Sequence, residues 1–320
     1  MQWCSLWSLE SNASAGLAAD IESHLVNSGQ TEEPLGYHLP MTSPISFLSD
    51  FGYADEFVGV VHGVIARIAP MVRIIDLTHG IGRGDVHGGA MALTRAIQFI
   101  PDGVILAVVD PGVGTSRKAV AVRTTVGYFV GPDNGLLAPA VAMVGGADLA
   151  VSIEDEAFRL PSPGATFHGR DVFAPAAAVL ASGEARLEDL GPLVPPEALT
   201  PLLIPLSEPA GAASIKATAL WVDSFGNVQL NVSPDDLGGV GLVVGDDVSV
   251  AREMTDYRIV WGKTYGDVEE GEPIVHVDSH GQIALAVRAG RADEALEISV
   301  GDSVVIGRPG GGNRIEITGA

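Results

Sequence analysis

Two residues, one at the end of an apolar run and one just beyond it, have side chains that could bind a water molecule and accept its proton. In "AVVDPGVGTSR" (107–117) the run ends at Asp110, and Arg117 follows seven residues later. Pro111 biases the preceding residue toward an extended backbone, and the two glycines of the turn leave space for a ligand and let Arg117 fold back on Asp110. A carboxylate can accept a proton, and a guanidinium favours a nearby anion. The same two residues could instead form a structural ion pair that braces the turn.

A histidine in a second segment supplies a third suitable side chain. In "ATFHGRDVFAP" (165–175), His168 stands directly before a predicted helix whose N-terminal amides favour an anion or a developing oxyanion. An imidazole near neutral pH can orient or deprotonate water. A lone histidine is more often a packing residue, so His168 becomes a candidate only beside Asp110 and Arg117.

Three aspartates occupy equivalent places in the predicted strands. Asp50, Asp76 and Asp110 each lie at the carboxyl end of an apolar segment. Ligands of open α/β sheets bind in the crevice beyond those ends, so three acids there predict a binding site. One aspartate after a strand can equally cap a turn, but that explanation is weaker for all three together.

The sequence argues against a metal centre and against an enzyme with a serine or cysteine nucleophile. "DLTHGIGRGDVH" supplies Asp76, His79, Asp85 and His87, but their spacing matches no common metal motif, and Asp85 suits a helix start. We therefore expect no metal ion. G-x-S-x-G is absent and the sole cysteine is Cys4, so acyl transfer has no obvious nucleophile.

The spacing of apolar residues divides the chain into an α/β part and a β part. Strand-like and helix-like segments alternate as far as residue 192, which predicts a parallel sheet covered by helices on both faces, a Rossmann-like α/β sandwich. Short strands and turns dominate later, which predicts a smaller all-β barrel. The predicted divisions are a flexible extension 1–42, the α/β domain 43–192, a Pro-rich linker 193–211, the β-barrel 212–310 and a tail 311–320. The predicted helices are 55–70, 85–101 and 169–183.

The charge balance argues against two classes of partner. With 18 Lys and Arg against 40 Asp and Glu, the formal net charge is -22, which repels phosphate backbones and anionic bilayers. We expect no nucleic acid and no membrane as partners. The single cysteine excludes an internal disulfide, so a reducing cytoplasm is the expected location. Residues 1–40 contain no Lys or Arg, unlike the start of a signal peptide.

Several motifs together resemble one enzyme family. They are "SDFG" followed by Asp55, "DLTHGI", "VVDPGVGTSR", "GPDNGLL", "ATFHGRDVFAP", "VDSFGNVQLN" and "SHGQIALAV", in this order between Ile45 and Arg308. They resemble the S-adenosylmethionine (SAM) hydrolases, also called SAM hydroxide adenosyltransferases, whose halide-using relatives are the fluorinases and chlorinases. The resemblance implies a catalytic α/β domain, a barrel that binds adenine, and a homotrimer with sites between subunits.

The resemblance also implies a reaction and its residues. Water would attack C5′ of SAM and release adenosine and L-methionine without a metal or other cofactor. The family's water-handling trio corresponds to Asp110, Arg117 and His168. Positions where fluorinase has a halide-pocket tyrosine and a fluoride-contacting serine are Asp110 and Gly169 here, which favours a hydrolase. The implied substrate contacts are Asp50 at the ribose, Phe225 and Asn227 at adenine, and also Asp55, Asn134, Gly169, Asp223, Ser279 and Val287. Arg288 departs from the family's asparagine, which leaves the contacts near it in question.

Two further hypotheses remain open. A trimeric sensor could hold SAM or adenosine without turnover, although binding alone does not need all three of Asp110, Arg117 and His168. A metal-dependent hydrolase around Asp76 and His79 would lose activity in a chelator, and we expect a chelator to have no effect.

Overall fold

The N-terminal part of the chain forms a mixed seven-stranded sheet. The computed structural model describes residues 42–309. The strands are β1 (Ile45–Ser49), β2 (Ile74–Thr78), β3 (Gly103–Val108), β4 (Ala119–Thr124), β5 (Gly127–Pro132), β6 (Leu149–Ser152) and β7 (Leu193–Val194). Their order across the sheet is β2-β1-β3-β5-β4-β6-β7.

Only one side of this sheet is parallel. β1, β2, β3 and β5 run parallel, whereas β4 and β6 pair antiparallel with their neighbours and β7 pairs antiparallel with β6. The prediction of a parallel sheet is therefore wrong for this edge. Thr125 and Val126 alone separate β4 from β5, and a two-residue connection can join only antiparallel strands.

Helices cover both faces of the sheet, as predicted. They are α1 (Phe57–Ile68), α2 (Val86–Ala96), α3 (Ala138–Met143) and α4 (Ala174–Ser182). Phe47 of β1 belongs to the core layer beneath α1 and α4, and its neighbour Leu48 belongs to the opposite layer with α2 and α3. All residues of β1 and β3 are buried, which explains their uninterrupted apolar runs. Within residues 42–309, no helix has both the length and the apolar character needed to cross a lipid bilayer.

The strand order places two of the three aspartates at a topological switch point. β1 lies between β2 and β3, so the chain leaves it toward β2 and later returns on its other side. Asp50 directly follows β1 and Asp110 closely follows β3, at this crevice. Asp76 was predicted at a strand end, and this is wrong. It is the middle residue of β2, opposite Phe47, because pairing with β1 continues as far as Thr78.

The C-terminal part forms the predicted barrel. Its strands are β8 (Glu208–Pro209), β9 (Ser214–Val222), β10 (Val228–Leu230), β11 (Asp247–Arg252), β12 (Thr255–Trp261), β13 (Pro273–Val277), β14 (Ile283–Val287) and β15 (Ser303–Gly307), with helices α5 (Pro234–Gly239) and α6 (Ala292–Ala295). β9 pairs with both β10 and β15, which closes seven strands around an apolar core, and β8 adds to the outside of β9. β7 and β8 both lie in the segment predicted as a linker, so it contributes a strand to each sheet.

A stacked cation joins the two domains. The guanidinium carbon of Arg95, in the last turn of α2, lies 3.5 Å from the centre of the Trp221 ring on β9. Burial lowers the pKa of Arg95 to about 10, although the charges of Asp278 and Asp223 act in the opposite direction. Arg95 therefore stays charged at neutral pH and holds the barrel against the α/β domain through a cation–π contact.

Replacing Gly127 tests how closely the backbones of β3 and β5 approach each other. Its φ is +124°, and an added Cβ would clash with the carbonyl oxygen of Gly103, which is backbone and cannot rotate away. We expect Gly127→Ala to lower the free energy of unfolding by roughly 4 kcal/mol or more, measured by urea denaturation. Gly145, with φ +102° and no atom near its added Cβ, is the control. Gly145→Ala should cost about 1–3 kcal/mol from backbone strain alone, and equal losses would contradict the argument.

Candidate active site

Asp110, Arg117 and His168 converge in one buried cluster beyond β3. Arg117 Nε donates to Asp110 Oδ1 at 3.1 Å, and Arg117 Nη2 donates to Asp110 Oδ2. Nη2 also donates to His168 Nδ1 at 3.0 Å. The side chains of Arg117 and Asp110 are only 7% and 6% exposed, so water screens this interaction little. The structure therefore brings together the three residues that the sequence analysis selected from distant segments.

The turn after β3 returns Arg117 to the acid. Val113 N donates to the Asp110 carbonyl at 3.2 Å, and the Thr115 backbone and hydroxyl both donate to the Gly112 carbonyl, at 3.1 and 2.7 Å. Gly114 has φ +78°, a left-handed conformation that a side chain would disfavour. These local bonds fix the loop, so the guanidinium meets the carboxylate without help from the ligand.

His168 is held by an irregular helix start. Gly169–Phe173 form a π-helical turn that leads directly into α4, so the predicted helix over 169–183 exists but begins with wider winding. Such turns are rare and recur at functional sites. The fully buried Phe173 lies beneath the cluster, 6.3 Å from the His168 ring and 5.4 Å from the Arg117 guanidinium carbon. Its apolar ring keeps water away from that side of the charges.

The charges fix the protonation state of His168. A guanidinium can only donate, so His168 Nδ1 must accept, and the neutral ring carries its proton on Nε2. Burial lowers the pKa of His168 below its usual 6.5, and Arg117 lowers it further, while Asp110 acts in the opposite direction. Protonated His168 would point an N–H at the guanidinium, so acid should break the contact.

The cluster retains hydrogen-bonding capacity for a small polar ligand. Arg117 Nη1 is buried and has no hydrogen-bond partner among residues 42–309. Each oxygen of Asp110 accepts one bond from Arg117 and has a lone pair left. A donor and an acceptor next to each other, both shielded from solvent, suit a water molecule that must lose a proton.

Asp50 and Asn134 lie around this cluster with different partners. Asp50 Oδ2 accepts from the Gly84 amide at 2.8 Å, and its Oδ1 has no hydrogen-bond partner within the described residues. Asn134 uses both ends of its amide on the backbone, because Nδ2 donates to the Val109 carbonyl at 2.9 Å and Oδ1 accepts from Leu136 N at 3.1 Å. Asn134 thus supports the residue before Asp110. Asp55, by contrast, is exposed just before α1.

An aromatic wall beside Gly169 was missed in the sequence analysis. The Phe51 and Phe167 rings lie 5.7 Å apart, and the Phe57 ring lies 5.1 Å from Phe167. An added Cβ on Gly169 would lie 2.8 Å from the tip of the Phe51 ring. Phe51 and Phe167 directly follow Asp50 and precede His168, so their adjacency to predicted site residues was the available signal.

A second group of predicted residues surrounds a cavity of about 360 Å³ in the barrel. Asp223 Oδ1 accepts from the amides of Phe225 and Asn227 at 2.8 and 2.9 Å, and Asp223 Oδ2 accepts from Asn227 Nδ2 at 2.7 Å. Asp223, Asn227 and Ser279 line the cavity, whereas Phe225 is 75% exposed on the same turn. Tyr265 also lines it and was not predicted.

Val287, a predicted substrate contact, and Arg288, which departs from the family pattern, lie at the end of β14 and do not line the cavity. Val287 is buried in the barrel core and does not line the cavity. Arg288 Nη1 donates to the Val268 carbonyl at 2.7 Å, so it ties two parts of the barrel together. Among the hydrogen bonds, ion pairs and ring contacts of residues 42–309, none joins the barrel turn at Asp223 to the Asp110 cluster.

The four residues considered for a metal do not stay together. Asp85 caps α2 by accepting from Gly88 N at 2.8 Å, as predicted. Asp76 and His79 do meet, and His62 of α1 joins them, a residue that no spacing argument had selected. His87 lies outside this group.

Comparisons with known proteins identify the family. The models of the N-terminal and C-terminal domains of the SAM hydroxide adenosyltransferases match residues 45–191 and 217–305. The (R)-S-adenosyl-L-methionine hydrolase of Salinispora tropica is 47% identical over 258 residues, which cover 81% of this chain and 95% of that protein. The crystal structure of an uncharacterized conserved protein from Thermotoga maritima has a TM-score of 0.76 and 36% identity, covering 82% of this chain and 100% of that chain.

A more distant relative carries the name fluorinase. The fluorinase of Actinopolyspora mzabensis is 25% identical over 292 residues, covering 82% of this chain and 97% of that protein. Both family models match in order and together span the two domains described above, so the chain belongs to the SAM hydroxide adenosyltransferase family.

Proposed function

We propose that this protein hydrolyses S-adenosyl-L-methionine to adenosine and L-methionine. The buried cluster of Asp110, Arg117 and His168 is the observation that carries the proposal, because it presents a proton acceptor and a cation to one small ligand. The name of the Salinispora tropica relative specifies the R form, and the sulfonium sulfur of the substrate is a stereocentre. We therefore take the R epimer as the preferred substrate.

In the proposed reaction, water attacks C5′ in line with the sulfonium. A bond forms between the water oxygen and C5′ while the C5′–S bond breaks, and its electron pair makes the neutral thioether of methionine. Asp110 accepts the proton of the water, Arg117 Nη1 stabilises the hydroxide-like oxygen that this transfer leaves, and His168 holds Arg117 in place. The electron balance needs no oxidant, reductant or metal ion, so we propose none. The single cysteine supports a reducing cytoplasm as the compartment.

The remaining predicted residues are proposed to bind the substrate. The second oxygen of Asp50 suits the ribose hydroxyls, and Asp55 and Gly169 lie in adjoining segments. Asn134 positions Asp110 through the Val109 carbonyl. In the barrel, Asp223, Phe225, Asn227 and Ser279 form the proposed adenosine site, with Val287 contributing only from the core.

We propose that a neighbouring subunit of a homotrimer supplies that barrel site. In one chain the Asp223 turn makes none of the described polar or ring contacts with the Asp110 cluster, yet the substrate has to reach both. A contact between subunits brings them together and makes each active site depend on assembly.

Two alternatives, a halogenase and a sensor, predict outcomes different from hydrolysis. A halogenase would place an anion beside Asp110, whose carboxylate repels it, and a serine at position 169 would collide with Phe51. A sensor would bind SAM without releasing products. Incubation with each SAM epimer, followed by chromatography for adenosine and methionine, separates these readings, and retained substrate without adenosine would overturn hydrolysis.

Arg117 is the first residue to test. We expect Arg117→Ala to reduce kcat by about 10²–10³-fold while KM changes little, because the lost donor acts on the water that loses its proton and not on the bound SAM. Arg117→Lys keeps the charge and the fold but not the forked contact with Asp110 and His168, so it should recover only part of the rate. Asp50→Ala is the contrasting variant, with KM raised roughly tenfold or more through the lost ribose contact. Full turnover in Arg117→Ala would contradict the proposed role.

The pH dependence tests His168. Its pKa lies below 6.5, so the neutral ring is present at pH 7 and is lost only as the pH falls further. We expect kcat/KM to be flat near pH 7 and to fall with a midpoint below 6.5, because protonation breaks the contact with Arg117. His168→Asn keeps an acceptor near Nδ1 and cannot titrate, so its remaining activity should lack this acidic limb. If His168→Asn kept the same acidic limb, the titration of another group would be its cause.

Mixing two inactive variants tests the composite site. Arg117→Ala removes the water-handling half and Asn227→Ala removes the barrel half. In randomly mixed trimers, about a quarter of the sites would combine an intact half from each chain and regain activity. Arg117→Ala mixed with His168→Ala is the control, since both changes affect the same half and no site can be rebuilt. Recovery in neither mixture would show that each chain builds its own site.

A further inference from the structure

Two histidines and one aspartate, all side chains that can bind a metal, lie together outside the proposed active site. Asp76 Oδ1 lies 2.9 Å from His62 Nε2 and 3.0 Å from His79 Nε2. They come from α1, from the middle of β2 and from the residue just after β2. One potential ligand atom from each residue lies within 4.8 Å of the others. No step of the proposed hydrolysis uses any of the three.

His79 is held in place from both sides. It is fully buried, and its Nδ1 lies 2.7 Å from the hydroxyl of the equally buried Ser49. The Phe47 ring meets it edge-on at 4.5 Å, and the Tyr53 ring lies 5.3 Å away on the other side. A serine hydroxyl can donate or accept, so it can support the tautomer whose Nε2 lone pair is free for a metal. Such outer partners orient metal-binding histidines in proteins.

We propose that His62, Asp76 and His79 bind a divalent transition-metal ion, with Zn²⁺ as the best fit. Two imidazole nitrogens and one carboxylate oxygen are a common donor set for zinc. Ligands about 2.0 Å from a tetrahedral ion lie roughly 3.3 Å apart, so the two distances from Asp76 Oδ1 need to widen by only a few tenths of an ångström. The two histidine nitrogens lie within 4.8 Å of each other and would have to adopt the same separation. His62 and Asp76 are 35% and 33% exposed, which leaves one side open for water as a fourth ligand.

The ion would stabilise the substrate side of the α/β domain. It would connect α1 to β2, and the His79 carbonyl already accepts from Gly52 N at 2.8 Å, within two residues of Asp50. The role is structural, because the proposed chemistry takes place at Asp110, Arg117 and His168. The site therefore adds a ligand to this protein without adding a step to its reaction.

Zinc binding by the full-length protein tests this inference directly. The protein is stripped with a chelator, dialysed and titrated with Zn²⁺ alone, with calorimetry for affinity and elemental analysis for stoichiometry. We expect the wild type to bind one equivalent of Zn²⁺ per chain and His62→Ala to lose it. His62 lies on the surface of a helix, so this substitution should not disturb folding. Asp76→Asn keeps the shape of the side chain and should weaken affinity by at least about tenfold. Zn²⁺ at a hundredfold excess over Kd should raise Tm by about 5 °C in the wild type.

His87→Ala is the matched control, because it removes a half-buried helical histidine outside the cluster and should keep the zinc equivalent. Absence of zinc binding in the wild type would reduce the cluster to a hydrogen-bonded triad and overturn the proposal. Binding and a Tm rise that persist unchanged in both His62→Ala and Asp76→Asn would place the metal elsewhere and overturn it too. Neither result depends on hydrolytic activity.

Discussion

The α/β domain is organised around one buried guanidinium shared between a carboxylate and an imidazole. Removing charges from water is costly, and a buried pair is tolerated only when its geometry satisfies nearly all donors and acceptors. Arg117 meets this condition at Nε and Nη2, with a forked contact to Asp110 and a third bond to His168, and leaves Nη1 for a ligand. The turn after β3 and the wide first turn before α4 are the local structures that make the geometry possible.

The sequence predicted the chemical groups of this site better than it predicted the strands and helices around them. Asp110 and Arg117 could be paired in advance because strand-end position and glycine content are local properties. The antiparallel β4 and the central position of Asp76 in β2 were not foreseen, because both depend on which strands become neighbours. His62 had no signal at all, since only the packing of α1 against β2 brings it to Asp76.

The residues that the family resemblance implies as substrate contacts differ in how free their side chains are to meet a ligand. Asp223 and Asn227 form a tight polar turn at the barrel cavity, where both can contact a ligand. Val287 lies in the core, and both ends of the Asn134 amide form hydrogen bonds with the backbone. Both residues therefore act on the site through the fold. A motif match identifies positions in the chain, whereas burial and hydrogen-bond partners decide whether a side chain is free to touch a ligand.

The stacking of Arg95 on Trp221 limits how far the barrel is an independent module. Arg95 belongs to the α/β domain, yet its charge offsets part of the field of Asp223 and Asp278 beside the barrel cavity. An excised barrel would expose the face of Trp221 and lose the charge of Arg95 near those acids. Grafting this barrel onto another protein would therefore transfer its strands without the full electrostatic environment of its cavity.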